Sequence, residues 1–368
     1  NSAGFINVNR LTAIAGSSTT NNPHPNNLKF SLAKNRGLAH NFLPKITISG
    51  LGLDVKQVSE TNLISNIMNF VAPIYAGDNS LKIKTGDNQY HYQSQNITSD
   101  SSQKGSNKPK EIAIDASNLS KIQAGQIYLV ATKEGFGVKY SGDMLASRAG
   151  IEIDAKGNIS YQNLAAESGQ IKVKTTNGKI IAKGTTQTKA KDQDIILGAN
   201  DDIDNQGQIL SSRDIKITSS DGNFNNLSGK LNLSNNDFII KAKKLNNQAI
   251  ISAKNNLEIE TKNLTNSKKL ISDNKIKIIS EQITNSDSII AKNKIDINAT
   301  DSLTNNGGIS SLAHTLKDGK VITGLKIGTK SLNNNKFIKS NSILTINADN
   351  LNNNSNGIIS SDKDIILN

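Results

Sequence analysis

From Ile195 onward the sequence repeats a unit of 19 to 21 residues in most steps, and this period constrains the fold more than any other feature. Each unit opens with a short apolar-x-apolar pattern, and these patterns start at Ile195, Ile215, Phe238, Leu257, Ile276, Ile295, Leu325, Leu344 and Ile365. Alternation of this kind is typical of a short strand with one buried face. A repeat of about 20 residues without sustained helical spacing predicts a stack of similar coils.

A second apolar residue follows in each unit, and an asparagine stands two positions after it. The asparagines are Asn205, Asn226, Asn247, Asn266, Asn285, Asn305, Asn334 and Asn353. Stacked coils bring identical positions to about 4.8 Å from each other, so these amides can hydrogen bond from coil to coil. We interpret them as a structural asparagine ladder, because a ligand site occurs once whereas a ladder residue occurs in every coil.

A third apolar position completes most units and carries serine two residues later, as in Ile209 with Ser211, Ile250 with Ser252 and Ile358 with Ser360. Three short strands per unit, joined by corners rich in Asn, Ser, Asp and Gly, describe one turn of a three-sided solenoid. The predicted fold is therefore all-β, a right-handed parallel β-helix. A leucine-rich repeat fits poorly, because the units lack its run of three leucines and a helical segment.

Residues 1–150 follow the same strand pattern with irregular spacing, at Ile46 and Ile48, Leu53 and Val55, Leu81 and Ile83, Ile112 and Ile114, and Ile127 and Leu129. Two polar stretches, Ser17 to Asn27 and Gln93 to Lys110, have the composition of exposed loop excursions. We expect coils in residues 1–150 with loops between them. No linker precedes residues 151–368, so we expect one continuous solenoid.

Three stretches of the first 150 residues resemble the exoproteins of two-partner secretion, a family that includes filamentous haemagglutinin and the contact-dependent growth inhibition toxins. They are GFINVNRLTAIAG from Gly4 to Gly16, NFVAPIYAGDNSLKIKTGDNQY from Asn69 to Tyr90, and DASNLSKIQAGQIYLVATKEGFGVKYSGDMLAS from Asp115 to Ser147. The last stretch has the small-residue turn at Ala124 and Gly125 and the Gly-x-Gly-Val step from Gly135 to Val138. The later units resemble haemagglutinin repeats.

The resemblance implies a remainder of a secretion domain in residues 1–150 and a haemagglutinin-repeat β-helix in residues 151–368. It implies a secreted or surface-displayed adhesin, exported by a partner outer-membrane transporter, that contacts a receptor or glycan on a host or neighbouring cell. A stalk of a contact-dependent growth inhibition toxin is the alternative within the family. The family's Asn-Pro-Asn-Gly motif is absent, and the chain starts without Met, so we expect the export signal upstream.

Composition excludes several other classes of protein. The chain has no cysteine, which excludes disulfide scaffolds and thiolate chemistry. Its net charge of +12 is diffuse, and no basic cluster with stacking aromatics points to nucleic acid; such charge favours only weak contact with sulfated glycans. No stretch approaches the roughly 18 apolar residues of a membrane-spanning helix.

Catalytic and metal-binding patterns are also lacking. The four histidines, His24, His40, His91 and His314, have no carboxylate or second histidine at ligand spacing, so no metal or cofactor is expected. No Gly-x-Ser-x-Gly elbow is present. Some β-helices are polysaccharide lyases or hydrolases, and this enzyme class remains the competing hypothesis, but the candidate carboxylates are typical turn residues. They are Asp201, Asp202, Asp204 and Asp214.

One step of the repeat is longer than the others. Ile295 and Leu325 are 30 residues apart, and the surplus lies near Leu312 to Thr323. Solenoids accommodate such insertions as loops at little cost. We expect a projecting loop here, whose possible contact residues are His314, Lys317 and Lys320.

Overall fold

The computed structural model describes residues 3–4, 8–18, 29–31, 44–86, 88–91, 93–94, 97–99, 112–227, 230–312 and 323–368. These residues contain 38 strands and no helix, which confirms the all-β prediction. The chain divides into two compact units, Asn1–Ala190 and Lys191–Asn368, and each is a parallel β-solenoid. The boundary that we predict near residue 150 stays a prediction.

The first unit has three columns of parallel strands, one for each side of its coils. Glu60–Ser65 pairs with Arg10–Ile14 and Ser80–Thr85, Ile67–Phe70 with Lys45–Ile48, and Leu53–Asp54 with Ile74–Tyr75. The strands are Ala3–Gly4, Arg10–Ile14, Ser17–Ser18, Lys29–Ser31, Lys45–Ile48, Leu53–Asp54, Glu60–Ser65, Ile67–Phe70, Ile74–Tyr75, Ser80–Thr85, Asn88–His91, Ile97–Ser99, Ile112–Ala116, Lys121–Ala131, Gly137–Ala155, Ile159–Ala166, Ile171–Thr175, Ile180–Ala182 and Thr185–Thr188.

A small antiparallel sheet accompanies the first unit. It contains Ile97–Ser99, Asn88–His91, Lys29–Ser31 and Ser17–Ser18, in that order. Its buried Tyr90 and its Phe30 pack with the coil residues Ile14 and Ile64. Most of the two predicted excursions lies outside the described residues, but their described ends belong to this sheet, which the sequence pattern did not indicate.

The second unit has the columns that the repeat predicts. Its strands are Ile195–Ala199, Ile203–Asn205, Gln208–Ser211, Ile215–Ser219, Asn223–Asn226, Leu231–Ser234, Phe238–Asn247, Ile250–Ala253, Leu257–Asn266, Leu270–Ser272, Lys275–Asn285, Ser288–Ala291, Lys294–Asn305, Gly308–Ser311, Thr323–Asn334, Phe337–Ser340, Ile343–Asn353, Ile358–Ser361 and Ile365–Leu367. The first apolar residue of each unit pairs with that of the next, from Ile195 to Ile365. The predicted register of this first strand is therefore confirmed.

Alternation along each strand separates the core from the outer surface. In Leu257–Asn266 the residues Leu257, Ile259 and Leu264 are buried, whereas Glu258 and Glu260 are exposed. Because the columns pair in register, each buried aliphatic residue lies on its counterpart in the neighbouring coil, which shields both from water. The core of the second unit is thus built from stacked Ile and Leu side chains.

Three details differ from the sequence pattern. A β-bulge shifts the pairing between Ile112 and Ile114, so Ile112 is 42% exposed and does not join the core. In the third strand, Ser252 and Ser360 face outward. The inward residues there are Ile251 and Ala253, which are buried, and Ile359 and Ser361, which pair with the buried Ile338 and Ser340. The doublets Ile250-Ile251 and Ile358-Ile359 allow two registers, and the pattern selected the wrong one.

Gly125 in the first unit has no space for a side chain. A Cβ at this position would lie 2.0 Å from the carbonyl oxygen of Asp78 in the adjacent coil. We expect Gly125→Ala to lower the free energy of unfolding by about 2 to 4 kcal/mol, because the backbones must separate. The matched control is Gly328→Ala, whose Cβ would have only Asn298 Oδ1 near it, at 3.8 Å. Chemical denaturation that gave equal changes for both variants would contradict this close approach.

Candidate functional site

The eight asparagines of the repeat stand in one column of the second unit, and their side-chain amides are linked. Each Nδ2 donates to the Oδ1 of the asparagine in the next coil, from Asn205 to Asn353. The seven N···O distances are 2.8 or 2.9 Å and join Asn205, Asn226, Asn247, Asn266, Asn285, Asn305, Asn334 and Asn353. All seven hydrogen bonds have the same direction, so the column is a polar chain of amides.

The ladder is buried for most of its length. The seven asparagines from Asn205 to Asn334 are at most 1% exposed, while Asn353 in the last described coil is exposed. Several amides also close their own corner: Asn205 Oδ1 accepts from the Gly207 N–H, and Asn285 Nδ2 donates to the Asp287 carbonyl. A buried amide must find partners for both its donor and its acceptor, and this arrangement supplies them.

Asn232 is a further buried asparagine that the pattern did not indicate. It is 1% exposed and occupies an inward position of the third strand, opposite Ile251. Its Oδ1 accepts from Asn205 Nδ2 and from the Ile209 N–H, and its Nδ2 donates to Asn226 Oδ1. The signal for it is Asn-Leu-Ser at residues 232–234, in the unit of Phe224, which lacks a clean match to the apolar-x-Ser pattern.

The three outer faces of the second unit differ in chemistry. The face of the first strand carries mostly charge, at Lys216, Glu258, Lys277, Asp296 and Lys326. The face of the second strand carries amides and hydroxyls, at Asn246, Thr265, Thr284, Thr304 and Asn333. The face of the third strand is aliphatic in four coils, at Leu210, Leu233, Ile271 and Ile290, and polar in the other four, at Ser252, Ser310, Lys339 and Ser360. Doublets of apolar residues at the third strand are the sequence signal for this aliphatic face.

An acidic corner anchors the first coils of the second unit. Arg213 donates two hydrogen bonds to the carboxylate of Asp194, at 2.6 and 2.7 Å, and the Asp214 N–H donates a third at 3.2 Å. Lys216 Nζ lies 3.6 Å from Asp194 and 3.5 Å from Asp214. Burial alone would raise the pKa of Asp194, but the hydrogen bonds from Arg213 and Asp214 outweigh it and hold that pKa below its ordinary value.

Asp194→Asn should lower the free energy of unfolding by about 1 to 2 kcal/mol at pH 7, because charge-assisted hydrogen bonds are lost. The folded pKa of Asp194 lies below its unfolded value of about 3.9, so its contribution is present above that value. It is lost as the pH falls through the lowered folded pKa. Denaturation from pH 7 to pH 2 should therefore show the gap between wild type and variant closing in acid, and a constant gap would contradict this role.

The other candidate residues from the sequence do not form a site among the described residues. His314, Lys317 and Lys320 lie outside the described residues. Asp202 Oδ1 accepts from the Asn223 N–H and Asp204 Oδ1 from Asn225 Nδ2, so both carboxylates brace the next coil. No group of three His, Cys, Asp or Glu that could hold a metal occurs within the described ranges. No helix of the described residues is long and apolar enough to cross a membrane.

Comparison with known proteins identifies the first part of the chain. The family model of the TPS secretion domain, the domain of two-partner secretion, matches residues 1–161. Toxin CdiA of Yersinia pestis is 34% identical over 175 residues, which are 48% of this chain and 5% of that protein. The tRNA nuclease CdiA-2 of Burkholderia pseudomallei is 31% identical over 159 residues, 42% of this chain and 4% of that protein. No solved structure matches the chain.

These relatives are far longer than the part that aligns, so the activities in their names are said of those proteins alone. A TPS secretion domain implies export through a partner outer-membrane transporter and a secreted or cell-surface location. Residues 1–161 are therefore a TPS secretion domain, and the findings support a two-partner secretion exoprotein.

Proposed function

We propose that the second unit is a structural stalk, which holds more distal parts of a larger exoprotein away from the cell that secretes it. The observation that carries this proposal is the unbroken asparagine ladder, which joins every coil from Asn205 to Asn353 by the same bond. When coils are held together by the same nearest-neighbour contacts, each further coil lengthens the stack by repeating those contacts. The named toxins among the relatives support a stalk that delivers a toxin.

An adhesin or haemagglutinin is the second candidate, and the face of amides and hydroxyls favours it. Asn246, Thr265 and Thr284 present hydrogen-bonding groups at one level after another. Such groups suit the hydroxyls of a glycan on a host or neighbouring cell. A carbohydrate-active enzyme would in addition need a carboxylate pair over a groove, and the described carboxylates Asp202 and Asp204 are engaged in bracing coils.

The test is a binding measurement with the purified 368-residue chain. The labelled chain is titrated onto host cells, neighbouring bacteria and a panel of neutral and sulfated glycans, at low and high salt, and the glycans are then analysed for products. A stalk predicts no saturable binding at high salt and no products. Saturable binding that Thr265→Asp/Thr284→Asp abolishes would overturn the stalk in favour of an adhesin, and shortened sugars would favour an enzyme.

A further inference from the structure

Three asparagines of the chain are followed directly by glycine, and each lies at a corner between two strands. They are Asn177, Asn306 and Asn356, and all three are exposed. When glycine follows asparagine, its backbone nitrogen can reach the side-chain amide carbon of the asparagine, because glycine has no side chain that blocks the approach. The three corners therefore carry the same reactive pair and differ in the structure around it.

The corner of Asn177 leaves both reacting groups free. Among the described residues, neither the Asn177 side chain nor the Gly178 N–H takes part in a hydrogen bond. The corner is held by its flanking residues instead, because the N–H groups of Thr176 and Lys179 donate to oxygen atoms of the preceding coil at 3.2 and 3.1 Å. The exposed side chain of Asn177 can therefore turn toward the Gly178 nitrogen without breaking a hydrogen bond.

Each of the other two corners holds one of the reacting groups. At Asn306 the side-chain Oδ1 accepts a hydrogen bond from Asn335 Nδ2 at 2.6 Å, which directs the amide toward the next coil. At Asn356 the glycine is held, because the Gly357 N–H donates to the Asn354 carbonyl at 2.7 Å. At both corners a hydrogen bond must break before the nitrogen and the amide carbon can meet. The net free energy of one such bond corresponds to a factor of about two to ten in rate.

We propose that Asn177 is a site of spontaneous deamidation in the folded protein, and that hydrogen bonds protect Asn306 and Asn356. The Gly178 nitrogen loses its proton to hydroxide and bonds to the side-chain carbon of Asn177. The bond from that carbon to Nδ2 breaks, and Nδ2 takes up a proton from water and leaves as ammonia. Water then opens the cyclic imide to aspartate or to its β-linked isomer. Either product adds one negative charge to a chain of net charge +12, without an enzyme and independently of the stalk proposal.

The corner accepts a normal aspartate more readily than the β-linked isomer. The backbone at Gly178 lies against the preceding coil, where an added Cβ would be 2.6 Å from the carbonyl carbon of Gly157. The isomer inserts one more carbon into the backbone between Thr176 and Lys179, which are both bonded to that coil. No space is available for this carbon, so we expect mainly the normal aspartate in the folded chain.

The first test incubates the folded 368-residue chain at pH 8 and follows the three Asn-Gly peptides by mass spectrometry after digestion. We expect Asn177 to react about two to ten times faster than Asn306 and Asn356. The same chain unfolded in urea is the matched control, where the three rates should agree within about twofold because only the local sequence remains. Equal rates at the three corners of the folded chain, or no reaction at Asn177, would overturn the proposal.

Two variants separate the hydrogen bonds from the local sequence. Asn335→Ala removes the donor to Asn306 Oδ1, so the rate at Asn306 should rise toward that at Asn177, which stays unchanged. Asn177→Gln keeps an amide but cannot form the same ring, and should remove most of the charge change that ion-exchange chromatography detects as the wild type ages. Circular dichroism confirms that both variants are folded. An unchanged rate at Asn306 in the first variant, or an unchanged loss of charge in the second, would refute the proposal.

Discussion

Asn266→Ala is expected to lower the free energy of unfolding by about 3 to 5 kcal/mol. The substitution removes the acceptor of Asn247 Nδ2 and the donor to Asn285 Oδ1, which are each 2.8 Å from Asn266. Asn247 Nδ2 and Asn285 Oδ1 both stay buried. Each buried polar group that loses its partner lowers the free energy of unfolding by about 1 to 3 kcal/mol. Urea denaturation followed by circular dichroism measures the change.

Two control variants separate the ladder from general effects of substitution in the same strands. Thr265→Ala changes the outward neighbour of Asn266 and should lower the free energy of unfolding by less than about 1 kcal/mol. Asn353→Ala removes an exposed amide at the last described level, where water can replace the lost partner, and should also have a small effect. If Asn266→Ala cost no more than these controls, the structural role of the ladder would be refuted.

Deletion of one whole coil should be tolerated. Removal of residues 257–275 joins Asn256 to Ile276, so Ile276 takes the place of Leu257 on Phe238. Asn285 then takes the place of Asn266 beside Asn247, and the ladder continues without a gap. Stability in a repeat stack is approximately a sum over neighbouring units, so we expect the variant to unfold cooperatively with only a modest change in free energy.

Deletion of half a coil should abolish the folded second unit instead. Removal of residues 257–266 brings the third strand, Leu270–Ser272, to the place of a first strand. The buried and outward positions of every later coil then lose their partners. Circular dichroism and limited proteolysis should show an intact first unit with a degraded second one. Equal behaviour of the two deletions would contradict an in-register stack.

The sequence predicts the first two strands of each coil well, and physical reasons explain where it does less. The register from Ile195 to Ile365 and the position of the ladder residues follow from repeated single apolar residues with polar neighbours. At Ile250-Ile251 both neighbours are apolar, so the pattern cannot tell the inward residue from the outward one. The antiparallel sheet that contains Tyr90 and Phe30 depends on pairing between distant segments, for which no repeat provides a signal.

The outer surface was harder to anticipate than the core. The pattern indicates that Asn266 recurs and is structural, but not that Asn232 joins the same network from another strand. Apart from the apolar doublets of the third strand, it gives no indication of chemically different faces, because a face is defined by residues about 20 positions apart that the register brings together. Ile271 and Ile290 become one surface only through that pairing.

The rise per coil tests the stack of the second unit most directly. Spin labels on cysteines at Asn225 and Thr304 are four levels apart, and labels at Asn225 and Asn333 are five levels apart. Double electron–electron resonance should give a distance of about 19 Å for the labels that are four levels apart and about 24 Å for those that are five levels apart. The sequence separation of 29 residues from Thr304 to Asn333 would then add only one coil spacing. A broad distribution, or a distance that grew with the number of intervening residues, would contradict the stack.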